Sequence, residues 1–288
     1  VTAQADLRAR AQTLGQALPA LLAQAQQLAA TVIMGDHGRR RAGMGDAFWQ
    51  FRPAAPGDSL RRIDWRRSAR GDQTFVRENE WQAAQTVTIW ADTARSMVFT
   101  GSDKRAPKVD RAQLLALALA VLLIRGGERV GLPGLPARSG RGQVDRIAQS
   151  LLAPAEADYG APDVGDLALH GRAVFMSDFL GDIGALESAL SRAADRGVTG
   201  ALVQVLDPAE EEFPFDGRTI FESMGGSLRH ETLRAGDLRL RYLDRLAERK
   251  ARLTTLARAS GWQYHCHHTG EGAQSALLWL FRAIEGGR

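Results

Sequence analysis

Apolar and polar positions change rhythm twice along the chain. Leu7, Ala11, Leu14, Leu18, Leu21, Ala25 and Leu28 recur at alternating steps of four and three, one seam of a helix that Gly15 and Pro19 weaken. The pattern predicts a helix docked on its own domain, with a partner-binding helix as the alternative. Across 39–80, short β-prone pieces (Phe48–Phe51, Thr74–Val76) alternate with turn signals at Pro53, Pro56-Gly57-Asp58 and Gly71-Asp72. That is the pattern of a small hairpin-rich subdomain.

From 84 onward, buried-strand runs alternate with helical segments. Strands are expected at Thr86–Ala91, Arg129–Leu132, Ala173–Met176, Gly200–Leu206 and Trp262–His265. Helices are expected near 110–125, 144–152, 183–196, 237–259 and 272–284. Strands spaced by helices of this length imply an α/β domain with a mostly parallel sheet covered on both faces. The resulting division is 1–38 as an N-terminal helical segment, 39–83 as the hairpin subdomain and 84–288 as the α/β body. The longest apolar run, Leu114–Ile124, is too short to span a bilayer and suits a buried helix.

Composition sharpens this picture only locally. The formal charge is +4, too small for a strongly basic nucleic-acid binder. Ten arginines and six acids lie within 39–80, so the excess sits there and the remaining chain is neutral. A single cysteine, Cys266, excludes an intramolecular disulfide and a cysteine-rich zinc site. No uninterrupted apolar leader opens the sequence, so a cytoplasmic protein without a membrane span is expected.

In an open parallel sheet, ligands gather at the carboxyl ends of the strands. Asp92 and Asp178 fall there, each directly after an apolar strand, and Ser96 shares the first loop. Carboxylates and a hydroxyl facing one another are hard-oxygen ligands suited to Mg²⁺ or Mn²⁺.

These residues also carry a family resemblance. From the strand before Asp92 onward, the chain resembles a von Willebrand factor A-type domain. From about residue 40 it is similar to the bacterial DUF58 family. The matching strings are Phe51-Arg52, Gly57-Asp58, Arg62-Ile63-Asp64-Trp65 with Ala69-Arg70, Asp92-Thr93-Ala94-Arg95-Ser96-Met97, Ser177-Asp178-Phe179-Leu180 and Asp207-Pro208-Ala209-Glu210. The resemblance implies a doubly wound von Willebrand A-like sheet and a degenerate metal-ion-dependent adhesion-type crest at Asp92, Ser96 and Asp178. Ala94 replaces one hydroxyl of that pattern, and Gly165 stands where a threonine is expected, with Asp163 or Asp166 as substitute carboxylates. The resemblance further implies a non-enzymatic adaptor that partners a MoxR-type AAA+ ATPase and presents client proteins to it.

The arginine-rich string Arg61, Arg62, Asp64, Trp65, Arg66, Arg67 and Arg70 admits two roles. It can tie hairpins together through Arg–carboxylate pairs, Arg62 or Arg66 with Asp58 or Asp64. It can also dock an acidic partner or a phosphate backbone, with protein favoured over nucleic acid. A metal-dependent phosphohydrolase is the enzymatic alternative, with Asp92 as nucleophile. That chemistry needs a second acid two residues later, where Ala94 stands, and a crest lysine, which is not evident. In His265-Cys266-His267-His268, only His265 and His267 share a face among the histidines that could pair at strand spacing, and neither has an evident partner. Glu210-Glu211-Glu212 is expected to be a solvated loop, and Arg241 with Arg245 part of an exposed helix face.

Overall fold

The structure, a computed structural model, describes residues 19–32, 48–55, 63–71, 73–79, 84–153, 157–222 and 229–285. The chain divides into two units, one formed by 1–35 with 85–288 and the other by 36–84.

In the larger unit, a six-stranded sheet runs β10-β7-β6-β3-β4-β5. Its strands are β3 (Thr86–Ala91), β4 (Arg129–Leu132), β5 (Leu135–Arg138), β6 (Arg172–Ser177), β7 (Thr199–Leu206) and β10 (Gln263–His268). All neighbours pair in parallel except β5, which turns back antiparallel on β4 at one edge. The fold is mixed α/β, with a mostly parallel central sheet flanked by helices. β5 has no counterpart among the expected strands, because Leu135–Arg138 alternates half-buried and exposed positions on an edge. The central strands are apolar throughout since both of their faces are covered.

One face is covered by the helix over 19–32 (α1), α3 (Lys108–Arg125), α4 (Arg141–Leu151) and α8 (Ala273–Glu285). Ala25, Ala29 and Val32 of α1 are buried in that core, so its apolar seam is used within the unit. α3 is buried along nearly its whole length between the sheet and the other helices, which explains its unbroken Leu/Ala run. The other face holds α5 (Ile183–Asp195) and α7 (Arg239–Ala259), packed with Trp262 and Phe175.

The smaller unit pairs β1 (Phe48–Pro53) antiparallel with β2 (Phe75–Asn79). Between them lies the single turn α2 (Trp65–Ser68). The two short β-prone pieces of the sequence are these strands.

Candidate functional site

In the strand order, β3 is followed in sequence by β4 on one side and by β6 on the other, so the topology reverses between β3 and β6. A crevice opens at the carboxyl ends of strands flanking such a switch point. Asp92 leaves β3 and Asp178 leaves β6 at this place, and Ser96 lies on the short turn Arg95–Val98. All three are buried, and Asp92 and Asp178 are close enough to interact electrostatically. What surrounds them differs from the expectation.

Asp92 is 2% exposed and hydrogen-bonded by protein donors through both oxygens. Its Oδ1 accepts from the Ala94 N–H at 2.8 Å and its Oδ2 from the Ser177 hydroxyl at 2.7 Å. The backbone of Gly160 also lies against it, at a spot where a β-carbon would overlap the carboxylate. Burial pushes the Asp92 carboxyl above the usual range, against the pull of those hydrogen bonds. Asp178 accepts from the Leu180 N–H at 3.0 Å and from the ammonium of Lys108 at 2.8 Å.

Lys108, 1% exposed at its side chain, is the unexpected element. It sits in the first turn of α3 and reaches Glu210 Oε1 at 2.7 Å as well as Asp178. Burial opposes its charge, but the attraction of the two carboxylates outweighs burial and raises its pKa. A crest lysine therefore exists, contrary to the sequence reading. Glu210 is no solvated loop residue either. It belongs to α6 (Pro208–Glu212), a short helix whose N-cap Asp207 and third residue Glu210 form a reciprocal capping box.

The residues do not fit a divalent cation well. The carboxylate oxygens of Asp92 and Asp178 are held by Ala94, Ser177, Leu180 and Lys108, and an ammonium already supplies positive charge there. The substitute carboxylates do not assist: Asp163 accepts from the Gly165 N–H at 3.0 Å within its own loop, and Asp166 is exposed. Ser96 Oγ, buried, has no hydrogen-bond partner among the described residues.

Beside this sealed centre is an open groove of about 540 Å³. Phe99, Leu180, Glu210 and Phe213 reach it from the crest loops, and Phe215, Phe221 and Tyr242 complete its aromatic wall. Phe213 is the hub, with ring centroids 5.2 Å from Phe215, 5.8 Å from Phe221 and 5.0 Å from Tyr242. It adopts φ 44°, a left-handed conformation that costs a non-glycine residue on the order of 1 kcal/mol and is retained here with the ring packed. The hairpin of β8 (Thr219–Glu222) and β9 (Arg229–Thr232) contributes Phe221 and His230. Arg241 and Arg245, one turn apart on α7, line the rim, exposed and without an ion-pair partner among the described residues.

In the smaller unit, Asp64 is the N-cap of α2 and accepts from the Arg67 N–H at 2.9 Å. That hydrogen bond is a local structural role. Arg67 lies over the Phe75 ring at 5.2 Å. Trp65 is 62% exposed beside Arg66 and Arg70, which make no ion pair among the described residues. Arg61, Arg62 and Asp58 lie outside the described residues, so the pairing expected of Arg62 does too.

The model of the family "Protein of unknown function DUF58" matches residues 50–252. Uncharacterized proteins of Mycobacterium bovis and Mycobacterium tuberculosis are 29% identical over 210 residues, covering 66% of this chain and 64% of theirs. The chain thus spans slightly under two thirds of the length of those relatives. Among solved structures, it is similar to an aerotolerance-related membrane protein from Bacteroides fragilis (16% identity, TM-score 0.42, 70% of this chain and 100% of that one). It is also similar to the conserved hypothetical protein BatB from Bacteroides thetaiotaomicron (14% identity, TM-score 0.41, 71% and 100%). Among the described residues, no helix is long and apolar enough to cross a membrane.

Proposed function

The chain belongs to the DUF58 family, and on that premise we propose that it is a non-enzymatic protein-interaction module that holds its partner at the crest of the sheet. One observation carries this reading. Lys108, Asp178 and Glu210 are spent on one another, whereas the space next to them is an open aromatic groove whose rim arginines have no ion-pair partner among the described residues. A buried, ion-paired centre gives shape; an apolar groove with a cationic edge gives a binding surface.

The occupant that fits is a segment of a partner protein with a bulky apolar side chain flanked by aspartate or glutamate. The apolar group fills the space between Phe213, Phe221 and Tyr242, and the carboxylates meet Arg241, Arg245 and His230. In line with the family resemblance, the partner is a MoxR-type AAA+ ATPase or one of its client proteins, and the work is chaperone-like assembly or maturation. Lys108 takes the electrostatic place of a crest metal, so capture needs no Mg²⁺ or Mn²⁺. The exposed Trp65, Arg66 and Arg70 offer the smaller unit a contact of its own for an acidic protein surface.

The phosphohydrolase alternative gains a crest lysine from Lys108 but loses on two counts. The ammonium is committed to Asp178 and Glu210, and Ala94 still offers a methyl group where an acid is needed.

The test is a binding titration with a fluorescein-labelled peptide carrying one tryptophan between two pairs of glutamates. Saturable binding is expected, weakened about tenfold or more (~1.4 kcal/mol) by Arg241→Ala with Arg245→Ala. A lysine-for-glutamate peptide is expected not to bind. Equal affinity for both peptides, or indifference to the double variant, overturns the groove assignment. Co-purification with a MoxR-type ATPase tests the partner class, and its failure with both proteins folded and in excess counts against that class.

A further inference from the structure

Strand β10 sends successive side chains to opposite faces. On one face, the His265 ring stacks on Trp279 at 4.8 Å and His267 is buried against Arg111 at 2.8 Å. On the other, Cys266 and His268 stand two residues apart, with Cys266 Sγ 3.8 Å from His268 Nε2. α6 brings Glu211 to the same spot, where its Oε2 meets His268 Nε2. The three ligand atoms lie within 4.8 Å of one another. All three residues are half-buried, so solvent reaches the group.

We propose that Glu211, Cys266 and His268 form a zinc site, with carboxylate oxygen, Sγ and Nε2 as ligands and a fourth position open to water or a partner's side chain. Mixed sulfur, nitrogen and oxygen donors favour Zn²⁺ over Mg²⁺ or Ca²⁺. Zn–S of about 2.3 Å and Zn–N of about 2.0–2.1 Å place S and N roughly 3.5 Å apart in a tetrahedron, close to the observed spacing. The other ring nitrogen of His268, Nδ1, lies 3.5 Å from Glu271 Oε1. A carboxylate behind the ligating histidine is the usual device for fixing its ring and tautomer.

A cation already occupies this position. Lys250 from α7 pairs with Glu211 and hydrogen-bonds Cys266. Zinc enters as the flexible lysine arm swings out to solvent with its proton. The Cys266 thiol releases its proton to water, and the glutamate and thiolate charges balance the ion. This site is separate from the groove and stands or falls independently of the adaptor reading.

The test is a Zn²⁺ titration of the whole chain against a chromophoric chelator, with Co²⁺ substitution as a second readout. One equivalent is expected to bind, and Co²⁺ is expected to give the near-ultraviolet charge-transfer band of thiolate ligation. Cys266→Ser and His268→Ala should each weaken binding about a hundredfold, and Glu271→Gln about tenfold. Lys250→Met should keep or gain affinity. Circular dichroism melts identify any variant that fails to fold, and the Co²⁺ band on the unaltered protein decides independently of them. Stoichiometric binding that survives both ligand substitutions, no binding by the unaltered chain, or loss of affinity in Lys250→Met overturns the proposal.

Discussion

Glu210 and Glu211 are neighbours on one short helix, and each has a lysine partner, yet they build opposite chemistries. Glu210 turns inward to Lys108 and Asp178, where one buried ammonium bridges two carboxylates. Glu211 turns toward Lys250, Cys266 and His268, half-open to water and with softer donors. Burial separates them. A buried ammonium between two carboxylates cannot leave without stranding them, whereas a half-exposed lysine can be replaced by a metal ion at small cost. The crest is thus locked by a cation of its own chain, and the edge beside β10 accepts one from outside.

Removing the inner lysine should break the contrast most severely. Lys108→Met strands Asp178 and Glu210 and is expected to cost about 3–5 kcal/mol, read as a lowered urea midpoint. Adding Asp178→Asn and Glu210→Gln removes the stranded charges and should recover much of that loss. If Lys108→Met alone is nearly neutral, the crest is not held by this ion network. Lys250→Met, the outer counterpart, should change unfolding stability by no more than about 1 kcal/mol, since ion pairs open to solvent contribute little.

Asp92 sharpens the comparison through pH. Its carboxyl holds a proton more tightly folded than unfolded, because burial raises its pKa. That contribution to stability is complete below the ordinary carboxylate range and is lost as pH rises through the raised folded value. Near neutrality the ionised group therefore costs stability. Asp92→Asn should equal or exceed the parent chain at neutral pH, by on the order of 1 kcal/mol, and lose that advantage in acid. Denaturant midpoints at both pH values check the sign, and an Asn variant destabilised at neutral pH contradicts it.

The alternation of apolar strands and helices made the body of the fold legible, since parallel strands buried on both faces leave continuous apolar runs. Asp92 and Asp178 were legible too, because strand ends mark the crevice of such a sheet. Lys108 was missed because it stands 70 residues from Asp178 and becomes its neighbour only when α3 packs. One local hint existed: a lysine in the first turn of a helix opposes the dipole and calls for an acidic partner. α6 was readable from Asp207-Pro208-Ala209-Glu210, an N-cap aspartate, a proline at the first position and a glutamate at the third. The bare run of glutamates hid it. The same two-residue strand period puts Cys266 with His268 on one face of β10, but Glu211 is brought to that face only by the β7–α6 turn.

The central claim is that Lys108, and no divalent ion, supplies the positive charge at the crest. A Mn²⁺ titration followed by electron paramagnetic resonance, on the parent chain beside Asp92→Asn, tests it directly. The account predicts that both chains leave the same amount of free aquated Mn²⁺ at every addition. One tightly held Mn²⁺ per parent chain, lost in the Asn variant, would contradict it.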